Sequence, residues 1–233
     1  MNVILTGASS GIGCEITKIL ALNSDFKVII IARSQDKLIS LKEDCHRLNP
    51  SSQIITIPFD LSNSDFTPLI ESIKTHISSV NYLINNAGLL INKKIPETSY
   101  QDLFNTFNTN FFSVFKITQL LLPMFTNPAH IVNVGSMGGF QGSLKFAGLA
   151  AYCSSKAALA SYTECIAEEY KNSGIKINCL ALGSVQTEML NNALPGYKAN
   201  VSAIDMASYI VDFTLNAHKF YNGKVLPVAT NTP

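Results

Sequence analysis

Short apolar runs alternate along the chain with longer stretches in which apolar residues recur every three or four positions. The runs at Asn2–Thr6, Lys27–Ala32, Gln53–Pro58, Tyr82–Asn85, His130–Gly135, Lys176–Leu182 and Lys224–Val228 are rich in Val, Ile and Leu. Most are apolar nearly throughout rather than alternating with polar residues, as strands read when a parallel sheet is covered on both faces. The stretches between them carry helical periodicity, giving β-α-β-α order from end to end. That order predicts an α/β fold, a doubly wound parallel sheet of about seven strands with right-handed crossovers. No linker, repeat or low-complexity tract interrupts it, so residues 1–233 read as one domain.

Two helical stretches carry more than cover for the sheet. Tyr100–Phe125 reads as one helix whose Phe104, Phe107, Phe111 and Phe115 form a single aromatic stripe. The stripe is expected to pack onto the sheet; the alternative is that part of it meets a second subunit. Ala151–Ser173 is rich in small residues, among them Ala157, Ala158, Ala160 and Ser161, which would let another helix approach closely. A helix-to-helix dimer is the expectation there.

Composition narrows the function classes. With 47% hydrophobic residues and a net charge of +1, from 17 Lys+Arg against 16 Asp+Glu, the chain lacks the basic footprint of a nucleic-acid or membrane-surface protein. The five cysteines (Cys14, Cys45, Cys153, Cys165 and Cys179) are scattered and odd in number, and read as reduced thiols, most of them small apolar fillers. His46, His76, His130 and His218 show no metal-ligand spacing, so no metal is expected. The opening Val3-Ile4-Leu5 is too short for a signal peptide, and no apolar run reaches the roughly 20 residues of a membrane span. A cytoplasmic location is expected.

Chemistry enters directly after the first strand, where Thr6-Gly7-Ala8-Ser9-Ser10-Gly11-Ile12-Gly13 leads into a helix. Glycines there permit a tight turn and close approach of a pyrophosphate, and the helix N-terminus offers free N–H groups and a positive dipole end. Strand, turn and helix in this order form a dinucleotide fingerprint, with Gly7, Ser9, Ser10, Gly11, Ile12 and Gly13 as its contacts. After the second strand, an acidic residue would bind a ribose 2′-hydroxyl and repel a 2′-phosphate. Ile31-Ala32-Arg33-Ser34 instead presents a guanidinium, suited to bidentate phosphate contact, so NADP(H) is favoured over NAD(H).

Among the eight tyrosines, only Tyr152 has a lysine four residues later, Lys156. On a helix the two share a face, one turn apart. A nearby ammonium favours the phenolate, so the pair makes a usable acid/base couple from a group with an ordinary pKa of about 10. The glycine loop, Asn85-Asn86-Ala87-Gly88 after the fourth strand, Ser136 after the fifth and Tyr152/Lys156 on the next helix follow in fixed order. Over nearly the whole chain this set resembles the short-chain dehydrogenase/reductase family, whose fold is a single Rossmann-type domain.

The resemblance implies a role for each residue. Tyr152 would exchange the proton at a carbonyl oxygen while hydride passes to or from the nicotinamide. Lys156 would lower the tyrosine's pKa and hold the nicotinamide ribose, and Ser136 would orient the substrate oxygen. Asn110, within Asn108-Thr109-Asn110-Phe111-Phe112, would hold a water in a proton relay. Asp60 and Leu61 would meet the adenine, Asn86 and Ala87 would lie along the cofactor, and Val185 and Thr187 would meet the nicotinamide carboxamide. The implied activity is NADP(H)-dependent interconversion of a small-molecule carbonyl and alcohol by a homodimer or homotetramer. The alternative from another class is a nicotinamide-nucleotide-binding regulatory protein without turnover.

The chain departs from the family pattern in places. Leu182-Gly183 stands where Pro-Gly is usual, and the common Asp-Gly-Gly after the last strand is missing. The stretch from Ser136 to Tyr152 is longer than usual, with Phe140 and Phe146 as candidate pocket walls. The segment from Glu188 to about Ser202, where a substrate lid forms, is short, which predicts an open site.

Overall fold

A computed structural model of the chain describes residues 1–230. Its elements run β1 Asn2–Thr6, α1 Gly11–Ala21, β2 Lys27–Ala32, α2 Gln35–Leu48, β3 Gln53–Pro58, α3 Thr67–His76, β4 Val80–Asn85 and α4 Tyr100–Phe107. They continue α5 Ser113–Leu121, β5 Phe125–Ser136, α6 Ala150–Glu169, β6 Ile175–Leu182, β7 Val185–Gln186, α7 Glu188–Ala193, β8 Val201–Ser202, α8 Ala203–Asn216 and β9 Val225–Val228. Seven strands form one sheet in the order β3-β2-β1-β4-β5-β6-β9, every neighbour pair parallel. The expected doubly wound sheet is present. β7 and β8, which the apolar pattern does not announce, pair in a separate two-stranded parallel ribbon.

The nearly all-apolar strands feed two cores, because successive side chains point to opposite faces. Val3 and Leu5 of β1, and Val28 and Ile30 of β2, pack with Ile16, Leu20, Leu38 and Ile210 from α1, α2 and α8. Ile4, Ile29 and Ile31 face the other way and meet Leu69, Ile73, Ile117 and Ile166 from α3, α5 and α6. Among the described residues no helix is long and apolar enough to cross a membrane.

The stretch expected as one helix from Tyr100 to Phe125 is interrupted. A π turn at Asn108–Phe112 separates α4 from α5, and a 3-10 turn at Leu122–Met124 delivers the chain into β5. Nor does the aromatic stripe pack onto the sheet. The inward face carries Thr106, Asn110, Ser113, Val114, Ile117, Thr118 and Leu121. Phe104, Phe112 and Phe115 are exposed, and Phe111 packs edge-on against Phe115 and Tyr162 of α6. All five cysteines are free thiols; Cys45, Cys153 and Cys179 are buried, whereas Cys165 is exposed on α6.

Candidate active site

A cleft of about 760 Å³ crosses the C-terminal ends of the strands. It straddles β1 and β4, the neighbours at which strand order reverses, which is where open α/β sheets leave a crevice for ligands. On the β1–β2–β3 side it is walled by the glycine turn and by Arg33, Asp60 and Leu61. On the other side stand Ser136, Tyr152, Lys156, Val185 and Thr187. Asn86 and Ala87 lie between them.

The turn after β1 is built for close backbone contact. Gly7 has φ +68°, and a Cβ there would stand 2.6 Å from Ala87 Cα; one on Gly13 would stand 2.3 Å from the Gly7 carbonyl oxygen. Gly13 is therefore a spacer between helix and turn, set back from the cleft that Gly7, Ser9, Ser10, Gly11 and Ile12 line. Ser10 is the N-cap of α1, yet makes no side-chain cap bond, and no acidic residue occupies the first turn. The helix thus directs its N-terminal N–H groups and dipole at the cleft without an internal anion to answer them. That arrangement fits a dinucleotide pyrophosphate. Asn86 braces the turn, its Nδ2 donating to the carbonyls of Thr6 and Gly7, each at 3.1 Å.

Across the cleft, α6 presents Tyr152 and Lys156 on one face, with Ser136 reaching in from the end of β5. Burial pushes the Tyr152 phenol above its ordinary pKa, and Ser136 opposes that rise by hydrogen bonding. Lys156 exerts no resolved downward pull on it here, contrary to the expectation. Lys156 Nζ instead donates to the Val134 carbonyl at 2.8 Å, and burial lowers its own pKa to about 8.

Asn110 is fully buried behind these groups and does not line the cleft. Its Oδ1 accepts from the Leu89 N–H at 2.7 Å, while its Nδ2 donates to the Leu89 carbonyl and to Ser155 Oγ, both at 2.9 Å. The π turn places it there: one extra residue in the turn brings Asn110 inward between the loop after β4 and α6. A Cβ on Gly88 would lie 3.6 Å from Asn110 Oδ1 and 3.8 Å from Lys156 Nζ, so both atoms face one spot.

Three loops converge over this centre. Asn92 Nδ2 donates to the Ala193 carbonyl at the end of α7 (2.8 Å), and the Lys93 N–H donates to the Gly148 carbonyl (3.0 Å). Gly148 adopts φ +85°, and a Cβ there would stand 2.0 Å from Asn92 Oδ1. The lid is therefore short but pinned, rather than simply open. Of the two candidate wall residues, Phe146 lines the cleft and Phe140 does not. Gly183 still makes its turn without the usual proline, its N–H bonded to the Val228 carbonyl at 2.9 Å.

Sequence reasoning missed Thr6, Ser155 and Asn92. Thr6 Oγ1 accepts from the N–H groups of both Asn86 and Ala87 at 3.1 Å, tying β1 to the loop after β4. Its place at the strand end beside the glycines was a signal. Ser155 and Asn92 carry none, since their partners lie 45 and 101 residues away.

Comparison with known proteins bears on this geometry. A family model described as short chain dehydrogenase matches residues 1–198. The ketoacyl reductase HetN of Nostoc sp. is 34% identical over 193 residues, covering 81% of this chain and 65% of the relative. The NADP-dependent 3-hydroxy acid dehydrogenase of Schizosaccharomyces pombe is 31% identical over 193 residues, 80% of this chain and 72% of the relative. The chain thus spans about two thirds of the length of the first of these relatives. Among solved structures, a short chain dehydrogenase of Salmonella enterica serovar Typhi superposes with a TM-score of 0.88 at 24% identity, over 97% of this chain and 94% of that one. One of Shigella flexneri, solved with NADP, gives 0.87 at 24% identity, over 97% and 95%.

Proposed function

Because this chain belongs to the short-chain dehydrogenase/reductase family of NAD(P)-binding oxidoreductases, we propose that it interconverts a carbonyl and an alcohol, using NADP(H) in preference to NAD(H). The observation that carries this reading is that an uncapped helix N-terminus shares one cleft with Tyr152, Ser136 and Lys156. One domain supplies both the cofactor and the substrate site.

The cofactor, when bound, supplies or accepts the hydride. Gly7, Ser9, Ser10, Gly11 and Ile12 cradle its pyrophosphate, Asp60 and Leu61 meet the adenine, and Asn86 and Ala87 lie along its length. Val185 and Thr187 meet the nicotinamide end. Arg33, exposed at the end of β2, takes the 2′-phosphate. The NADP-dependent relative and the NADP-bound structural neighbour lean the same way.

Tyr152 donates its proton to the carbonyl oxygen as the alcohol forms, and Ser136 hydrogen-bonds that oxygen as charge develops. A phenol held above its ordinary pKa stays protonated at neutral pH, which suits it to the acid's part. Lys156 holds the ribose and carries the positive charge behind the phenol. Asn110 acts by position: it fixes Leu89 and Ser155 around the lysine, and a water bridging it to Lys156 would complete a proton relay. The exposed aromatic face of α4, α5 and α6 is the contact through which a homodimer or homotetramer forms.

The test is a fluorescence titration with NADPH and NADH alongside turnover with carbonyl substrates. Tyr152→Phe is expected to lose nearly all turnover yet bind cofactor normally, and Arg33→Ala to lose the preference for NADPH. Undiminished turnover in Tyr152→Phe overturns the mechanism. Equal binding of NADH by the wild type overturns the cofactor preference alone.

A further inference from the structure

The three converging loops give the cleft an apolar part of its lining, a lobe of leucine side chains on the side of the lid. Leu89 and Leu90 come from the loop after β4, Leu149 from the approach to α6, and Leu190 and Leu194 from the lid. The bonds from Asn92 to Ala193 and from Lys93 to Gly148 hold these segments against one another, so the lobe is a built feature. Met189 Cε lies 3.9 Å from the point where a Cβ on Gly88 would stand, the same point that faces Lys156 Nζ. The lid's apolar side chains therefore reach the reacting centre.

Few charges line the cleft. Arg33 and Asp60 sit at the ends of β2 and β3, Lys156 at the centre, and Lys198 beside Ala199, whose N–H is bonded to Gln186 of β7. Of these only Lys198 belongs to the three loops, near the end of the lid, while Leu89, Leu90, Leu149, Met189, Leu190 and Leu194 bring no charge. A carboxylate or polyhydroxylated group seated among the leucines and Met189 would give up water for apolar contacts, which costs free energy. At the mouth, by contrast, Phe146 (56% exposed), Met189 (41%) and Tyr197 (48%) present apolar surface to solvent. Exposed apolar side chains clustered at the rim of a cleft mark the site of an apolar ligand.

We propose that the substrate is a neutral ketone or aldehyde bearing an extended apolar group, an aromatic ring or an alkyl chain of roughly six carbons or more, seated between Phe146, Leu149, Met189 and Leu194. This rests on the carbonyl-reducing reading of the same cleft. The apolar group lies in the lobe, its carbonyl oxygen meets Tyr152 and Ser136, and the product is the secondary or primary alcohol.

The experiment is NADPH-dependent reduction of straight-chain 2-alkanones from butanone to decanone and of 2-oxo acids of matched length. A parallel thermal-shift series uses the corresponding 2-alkanols in the presence of NADP+. The expected result is kcat/KM rising about two- to fourfold per methylene, as burial of each group at about 0.8 kcal/mol or somewhat less requires. Oxo acids are expected to fall at least roughly tenfold below ketones of equal length, and Met189→Ser together with Phe146→Ala to flatten the chain-length slope. Turnover that is flat with chain length, or that favours the oxo acids, overturns the inference. Chain-length-dependent stabilisation by alkanols without reduction of any carbonyl compound overturns the oxidoreductase reading of the site and leaves the apolar lobe standing.

Discussion

Asn110 Nδ2 donates to Ser155 Oγ at 2.9 Å, so a residue of the π turn is tied to helix α6 one position before Lys156. The same amide closes both backbone groups of Leu89, at 2.7 and 2.9 Å. One buried side chain therefore locks the loop after β4, the π turn and helix α6 into a single arrangement.

Asn110→Leu is expected to leave the Leu89 N–H and carbonyl without their side-chain partner, at up to roughly 1–3 kcal/mol for each group. Urea denaturation should show that loss, and kcat should fall more than KM changes. Ser155→Ala, which leaves Leu89 satisfied, should cost less than Asn110→Leu on both measures. Equal effects of the two substitutions would refute the shared-lock account.

Lys156 gives a pH dependence. Burial lowers its pKa from 10.5 to about 8, so it sheds its proton as pH climbs through about 8. If the ammonium is needed for reduction, kcat/KM should fall across that range, since this parameter reports the free enzyme. Lys156→Arg keeps its charge at every accessible pH; its profile should lose the alkaline limb even if its rate is lower. A wild-type profile that stays level through the alkaline range contradicts the assignment.

His130 gives a stability signature at the opposite end of the pH scale. It is fully buried on β5, its Nδ1 bonded to the Thr214 carbonyl at 2.9 Å and its Nε2 facing Asn178 Nδ2 at 3.0 Å. Because the first partner only accepts and the second only donates, the ring is neutral with its proton on Nδ1. Burial pushes its pKa from 6.5 down to about 4, with the Thr214 bond opposing and His218 reinforcing. Between those values the unfolded chain binds a proton that the fold refuses, so stability is lost as pH falls through that window, by up to roughly 3 kcal/mol. Melting temperatures measured from neutral pH down to about pH 4 should decline less steeply in His130→Gln. An unchanged slope would remove His130 from the account.

The outward aromatic face predicts self-association. Phe104, Phe112 and Phe115 are 42%, 45% and 44% exposed on neighbouring turns, apolar surface that a second subunit would cover. Phe115→Glu is expected to shift sedimentation velocity toward the monomer while leaving the far-UV circular dichroism unchanged. A wild type that sediments as a monomer at all concentrations would rule out that role.

Some of this was legible in the chain because the causes are local. A buried parallel strand must be apolar on both faces, so β1, β2 and β6 announce themselves. Gly7, Gly11 and Gly13 stand where backbone must approach backbone or ligand, and a spacing of four on a helix alone puts Tyr152 and Lys156 on one face. Other features were illegible because they depend on what arrives from elsewhere. Helical period identifies Phe104, Phe107, Phe111 and Phe115 as one stripe, yet it does not say which side the sheet will take. The sheet took the side of Val114, Ile117 and Leu121, together with the small polar Thr106, Asn110 and Ser113, which satisfy their hydrogen bonds within that interior.

The electrostatics divide along the same line. Residue type and spacing single out Tyr152 and Lys156 as a candidate acid/base pair, but pKa values answer to desolvation and to the nearest partner. Lys156 spends a donor on Val134, and burial rather than the lysine governs Tyr152. Sequence by itself determined the order of the elements, the glycine turn and the shared helix face of Tyr152 and Lys156, since each follows from steric and periodic rules acting over a few residues. Only the tertiary structure decided which face of α4 and α5 is buried, how Asn92 and Asn110 clamp the loops, and how strongly the site is desolvated. Those outcomes arise from groups tens of residues apart, and they exist only once the sheet has brought them together.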